Sequence, residues 1–134
     1  MMARLQKAPM ISIVDDDESF RDAAGRLVKS LGYAAHTFAS AEDFLQSGRI
    51  DDTACLILDV NMPGVSGIAL QNHLHAQGNL TPIIFVTAHP GAAIQAQALK
   101  GGAVGFLSKP IKEECLINHL DMALKSHKDD GAKR

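Results

Sequence analysis

Asp15, Asp16, Asp59, Thr87 and Lys109 each stand where a run of apolar residues stops. Their types are complementary. Carboxylates drawn to one place repel each other, and some would take up protons unless a cation joined them. A hard cation with oxygen ligands removes that conflict. Mg²⁺ suits a site with few carboxylates, several waters and a phosphate oxygen, with Mn²⁺ as its substitute. Lys109 adds a positive point charge for an anionic group, and Thr87 adds a hydroxyl donor. Metal, ammonium and hydroxyl together are what the equatorial oxygens of a transferring phosphoryl group require. A carboxylate held opposite them can act as the nucleophile. Asp59, at the centre of such an edge, is the candidate.

Chemistry of this kind depends on elements that bring the five residues together. The chain repeats one pattern five times, a short apolar run followed by a helical segment. The first run, Met10 to Val14, is stopped by Asp15-Asp16-Asp17. Acids are poor strand formers and good helix starters. From Ser19 onward Phe20, Ala23, Ala24, Leu27, Val28 and Leu31 recur at helical spacing, and Gly32 closes the helix. Gly25 is a small local cost inside that helix, and Asp17 is read as part of its acidic start. A weaker second strand covers 33–37. Ser40 caps a short helix carrying Phe44 and Leu45, stopped by Gly48. The third run, 54–58, ends on Asp59, and Ser66 caps the helix after it. The fourth run, 82–86, ends at Thr87-Ala88. The fourth helix, 90–100, is rich in Ala and Gln, with Ile94 and Leu99 as its large apolar anchors. So little burial makes it the expected most mobile helix. The fifth run, 103–107, precedes Ser108-Lys109-Pro110. The last helix buries Leu116, Ile117, Leu120, Ala123 and Leu124, and frays beyond.

Near-continuous apolar strands alternating with helices imply an α/β fold with a parallel sheet covered on both faces. In such sheets chemistry gathers beyond the carboxyl ends of the strands, which is where the five residues fall.

Composition narrows the class further. The 134 residues fit one domain, and a hydrophobic share of 46% excludes a disordered chain. A formal net charge of -2 offers no electrostatic footprint for direct nucleic-acid binding. Met1 to Pro9 lacks the apolar run of a signal peptide, and no segment approaches the ~20 apolar residues of a membrane span. The expectation is a cytoplasmic protein without membrane attachment. Cys55 and Cys115 lack the spacing of a redox pair or zinc site and are read as reduced packing residues.

The order and spacing of Ile13-Val14-Asp15-Asp16, Leu58-Asp59-Val60-Asn61-Met62-Pro63-Gly64 with Gly67, Val86-Thr87-Ala88 and Phe106-Leu107-Ser108-Lys109-Pro110 resemble a response-regulator receiver domain. The class includes the chemotaxis regulators, and the likeness runs from about Met10 to Leu124. It implies a doubly wound, flavodoxin-like (βα)5 fold with strand order 2-1-3-4-5. It also implies a domain at 10–125, preceded by an extension at 1–9. A polar tail or the start of a linker follows at 126–134.

By position, the resemblance makes Asp59 the acceptor of a phosphoryl group from a sensor histidine kinase or a small acyl phosphate. Asp16 and Asp59 would bind the metal directly, with the Asn61 backbone carbonyl, and Asp15 would help through water or positioning. Thr87 and Lys109 would bind phosphoryl oxygens. Thr87 and Phe106 would form the switch that reshapes the face of the fourth helix, fifth strand and fifth helix. That face would control an output domain or a partner protein, or form a homodimer. Phe106 cannot donate a hydrogen bond, so its part would be packing alone. Asn61 and His89 would tune the lifetime of the phosphoryl group. The Lys109-Pro110 bond would be cis.

Other assignments fit less well. A haloacid dehalogenase-like phosphohydrolase would carry its nucleophile on the first strand, and a flavin-binding domain would need a glycine- and hydroxyl-rich loop there. A receiver-like binding module that is never phosphorylated would not need the full set of Asp16, Asp59, Thr87 and Lys109. Cys115 and His119, four apart, lack a third ligand for a metal.

Overall fold

A computed structural model describes residues 8–132. Five strands alternate with five helices. The strands are β1 (Met10–Val14), β2 (Ala34–Phe38), β3 (Thr53–Asp59), β4 (Ile83–Thr87) and β5 (Gly105–Ser108). The helices are α1 (Glu18–Ser30), α2 (Ala41–Gln46), α3 (Gly67–Ala76), α4 (Ala92–Lys100) and α5 (Glu113–Ala132). All strands pair in parallel, in the order β2-β1-β3-β4-β5. The flavodoxin-like topology implied by the motifs is therefore present.

The sheet has a core on each face because its side chains alternate. Ile11, Ile13, Cys55, Ile57, Ile84 and Val86 pack with Val28 of α1 and Leu116 and Leu120 of α5. Val14, Leu56, Leu58 and Phe85 point the other way, onto Phe44 of α2, Leu70 and Leu74 of α3 and Ala98 of α4. One polar pair interrupts this alternation: the hydroxyls of Ser12 and Thr53 meet at 2.6 Å, buried between β1 and β3.

Helix starts follow local chemistry. Asp17 accepts from the N–H groups of Ser19 and Phe20, Ser40 from that of Asp43, and Ser66 from that of Ala69. These bonds satisfy donors that a helix cannot pair internally. Asp17 is thus an N-cap. α4 begins at Ala92, two residues later than Pro90, with Gly91 as an N-cap that offers no side-chain hydrogen bond.

Several apolar assignments need correction. Leu99 is 45% exposed, so α4 is held by buried Ala98 and half-buried Ile94. The helix has a low contrast between its faces because Ala and Gln surround the two large residues, so spacing alone does not mark the buried face. Cys115 is exposed, although Cys55 is buried as expected. α5 also continues as helix to Ala132 instead of fraying after Leu124. The proposed extension at 1–9 falls mostly outside the described residues, as do positions 133–134 of the proposed tail.

Two glycines are fixed by close packing. A Cβ on Gly67 would lie 2.3 Å from the carbonyl oxygen of Asp59, so the start of α3 can approach the end of β3 only without a side chain. A Cβ on Gly105 would lie 2.2 Å from the His119 ring, which rests on β5. The His119 Nδ1 in turn pairs with the Cys115 carbonyl at 2.8 Å. The Cys115–His119 pair thus belongs to the α5–β5 joint.

Candidate functional site

β1, β3, β4 and β5 end side by side. Val14 pairs with Leu58, Asp59 with Val86, and Thr87 with Ser108. This register sets Asp15, Asp59, Thr87 and Lys109 along one edge. Oxygens of Asp15, Asp16 and Asp59 lie within 4.8 Å of one another.

The three acids are not equivalent. Asp15 is fully buried, with its backbone and one carboxylate oxygen hydrogen-bonded. Its N–H donates to the Phe38 carbonyl, its Oδ1 accepts from the Asp17 N–H at 2.8 Å, and its Oδ2 faces Lys109 Nζ at 2.6 Å. The approach of Lys109 supplies charge, yet Oδ2 has no well-oriented hydrogen bond. Asp16 is exposed. Asp59 is 5% exposed, with one carboxylate oxygen accepting the Asn61 N–H at 3.3 Å and the other 4.0 Å from Lys109 Nζ.

Burial pushes the Asp59 carboxyl up to about 7, and the nearby charge of Asp15 adds to the rise. Lys109 and the Asn61 N–H act in the opposite direction, and Asp16 again raises it. A buried carboxyl among other acids holds its proton unless positive charge arrives.

Such an arrangement fits a hard divalent cation. Exposed Asp16 and a free lone pair on Asp59 face the same space, while buried Asp15 keeps an oxygen without a proper donor. All the donors are oxygen, the preference of Mg²⁺.

Lys109 is held from a second side. Its Nζ lies 4.6 Å above the centre of the Phe20 ring, an attractive cation–π geometry. The Lys109-Pro110 peptide is cis, as the motif implies. Thr87 is buried, and its Oγ1 accepts from Asn61 Nδ2 at 3.3 Å and from the His89 N–H at 3.1 Å. With both acceptor positions used, its own O–H proton is free to donate. Phe106 is half-buried, its ring 6.4 Å from that of Phe85. Asn61 and His89 are both exposed at the rim.

A match to the model of the response regulator receiver domain covers residues 11–121. The chain belongs to the receiver domain family. Among its relatives, the response regulator protein TodT of Pseudomonas putida is 40% identical over 89% of this chain and 52% of its own length. Nodulation protein W of Bradyrhizobium diazoefficiens is 41% identical over 81% of this chain and 48% of its own length. The chain thus spans about half the length of these relatives. The response regulator StyR superposes with a TM-score of 0.87 at 38% identity, over 95% of this chain and 64% of that one. FixJ-N does so with a TM-score of 0.79 at 30% identity, over 90% and 96%.

Receiver domains are signalling phosphoacceptors of two-component systems, and the acidic pocket of Asp15, Asp16 and Asp59 agrees with that role. The family implies a cognate histidine kinase. No described helix is long and apolar enough to cross a membrane.

Two contributors to this receiver site carried no signal as such in the sequence. Phe20 fits the apolar stripe of α1, yet its ring lies under the Lys109 ammonium. Arg21 looks like an ordinary surface charge, yet its guanidinium donates to the Asp15 carbonyl at 2.7 Å and pins the turn between the two acids.

Proposed function

We propose that this receiver domain accepts a phosphoryl group on Asp59 from a sensor histidine kinase or a small acyl phosphate. The single observation that carries the reading is the convergence of Asp59, Asp16, Asp15 and Lys109 at one sheet edge.

Asp59 Oδ is the nucleophile. It attacks phosphorus, the donor's bond to phosphorus breaks, and an aspartyl phosphate forms. Asp16, Asp59 and the backbone carbonyl of Asn61 would hold Mg²⁺ or Mn²⁺, with Asp15 supporting from within. When bound, the ion neutralises phosphoryl charge and offsets the repulsion among the acids. Lys109 then exchanges part of its contact with Asp15 for a phosphoryl oxygen. The Thr87 hydroxyl donates to another oxygen, and Phe106 repacks against the place that Thr87 leaves. The change reaches α4, β5 and α5, the face through which an output domain, a protein partner or a second copy would be controlled.

Beside Lys109, α1 and the start of α5 enclose a groove of ≈ 610 Å³ lined by Phe20, Ala23, Leu27, Pro110, Ile111 and Leu116. Apolar surface so close to the acceptor supports delivery by a protein donor as well as by a small one. Asn61 and His89, at the rim, set how readily water reaches the phosphoryl group and so its lifetime. A His89→Ala variant with an unchanged decay rate would remove that role.

Intact mass after incubation with acetyl phosphate and Mg²⁺ tests the reading. One added phosphoryl group that requires Mg²⁺ and is absent from Asp59→Asn is expected. No adduct in the parent, with acetyl phosphate or with a phosphorylated kinase, would leave a receiver-like binding module.

A further inference from the structure

Gln71 is among the largest fully buried side chains, 1% exposed, although it is polar and lies on α3 away from the acidic edge. A buried amide persists where it is hydrogen-bonded. Its Nε2 donates to the carbonyl of Ala98 at 3.1 Å. Ala98 is the fully buried residue of α4, and its carbonyl also accepts the Ala103 N–H at 3.1 Å. The amide is clamped from the other side as well. A Cβ on Gly101 would lie 2.7–2.9 Å from its Oε1, Cδ and Nε2. Gln71 thus grips the end of α4 and the start of the turn into β5.

One helical turn earlier on the same face of α3 is Gly67. Its missing side chain lets α3 sit against the Asp59 carbonyl, and its N–H donates to the Val60 carbonyl at 3.0 Å. A rigid turn of helix therefore connects the backbone of Asp59 to the far end of α4. The near end of α4 is held less firmly, since Gly91 provides no side-chain cap and Ile94 is only half-buried.

We propose that Gln71 is a positioning residue that ties the α4–β5 joint to α3, and through α3 to the backbone of the acceptor strand. This route is separate from Thr87 and Phe106. The signal it would carry rests on the phosphoacceptor reading; the tie itself does not.

Hydrogen exchange of the full chain, read by mass spectrometry, tests it in two variants. Gln71→Leu keeps the volume and loses the donor. Gly101→Ala leaves Gln71 in place but pushes its amide away from Ala98. In the ligand-free protein, both are expected to speed exchange of amides 98–104 about tenfold while β1 and β3 stay protected. With Mg²⁺ and beryllofluoride as phosphoryl mimic, the parent should change its exchange at 98–104, and Gln71→Leu should lose most of that change. Unaltered ligand-free exchange at 98–104 in both variants overturns the tie. A full beryllofluoride response in Gln71→Leu overturns its part in signalling. A parent that ignores beryllofluoride sinks the phosphoacceptor reading instead, and the ligand-free comparison still decides the tie.

Discussion

Lys109 Nζ stands 2.6 Å from Asp15 Oδ2 and 4.0 Å from Asp59 Oδ2, so in this structure the lysine is paired with the buried acid and only near the acceptor. Removing one member of such a pair leaves the other charge buried and uncompensated. Lys109→Met should lower stability at pH 8 by about 2–4 kcal/mol. The double variant Asp15→Asn with Lys109→Met should recover most of the loss, because neither charge is then left alone. Urea denaturation of the parent and three variants measures the cycle. Additive losses would show that the pair is not coupled.

The Asp59 carboxyl, raised to about 7 by burial, makes metal-free stability depend on pH. The folded value lies above the unfolded one of about 4, so the folded state keeps a proton that the unfolded chain has lost. The stabilisation is complete below pH ~4 and disappears as pH rises through ~7. Its loss should amount to roughly 2–4 kcal/mol. Asp59→Asn should flatten that fall and exceed the parent in stability at pH 8. Denaturation curves collected from pH 4 to 8 in EDTA would refute this if parent and variant ran parallel.

Asp16 is exposed while Asp15 is buried against Lys109 and the start of α1, which separates metal binding from folding. Asp16→Asn should change metal-free stability by no more than about 0.5 kcal/mol. It should weaken Mg²⁺ binding about tenfold or more, read by calorimetry. An unchanged affinity would assign the metal to other ligands.

Gly25 and Gly67 should respond in opposite directions to alanine. At Gly25 the nearest atom to a Cβ would be Thr37 Cγ2 at an ordinary 3.7 Å. Gly25→Ala should therefore stabilise α1 by about 0.5–1 kcal/mol. Gly67→Ala forces a Cβ into the Asp59 carbonyl, costing about 1–3 kcal/mol, and it should slow phosphoryl transfer by displacing Asp59. Thermal melts of both variants settle the signs.

The strand ends were legible in the sequence because Asp15, Asp59, Thr87 and Lys109 interrupt apolar runs, and a parallel sheet collects such interruptions at one edge. Helix faces were less legible. In α4 the many alanines leave Leu99 and Ala98 indistinguishable by periodicity, and tertiary packing buries the smaller. Cys115 lies on a helix whose apolar stripe starts one residue later. The clamp on Gln71 has no sequence signal, since a buried amide looks like a surface one until its carbonyl partner, distant in sequence, is in place. Phe20 was legible as an apolar position, but its use beneath Lys109 depends on how α1 crosses the edge.

The contact between Gly105 and the His119 ring makes the two positions dependent on each other. A strand residue that has no room for a side chain while its helical neighbour carries an imidazole can acquire one only when the ring moves aside or is given up. Substitutions tolerated at 119 therefore widen what position 105 can hold. Anyone reshaping the β5–α5 face for a new partner must redesign the two together.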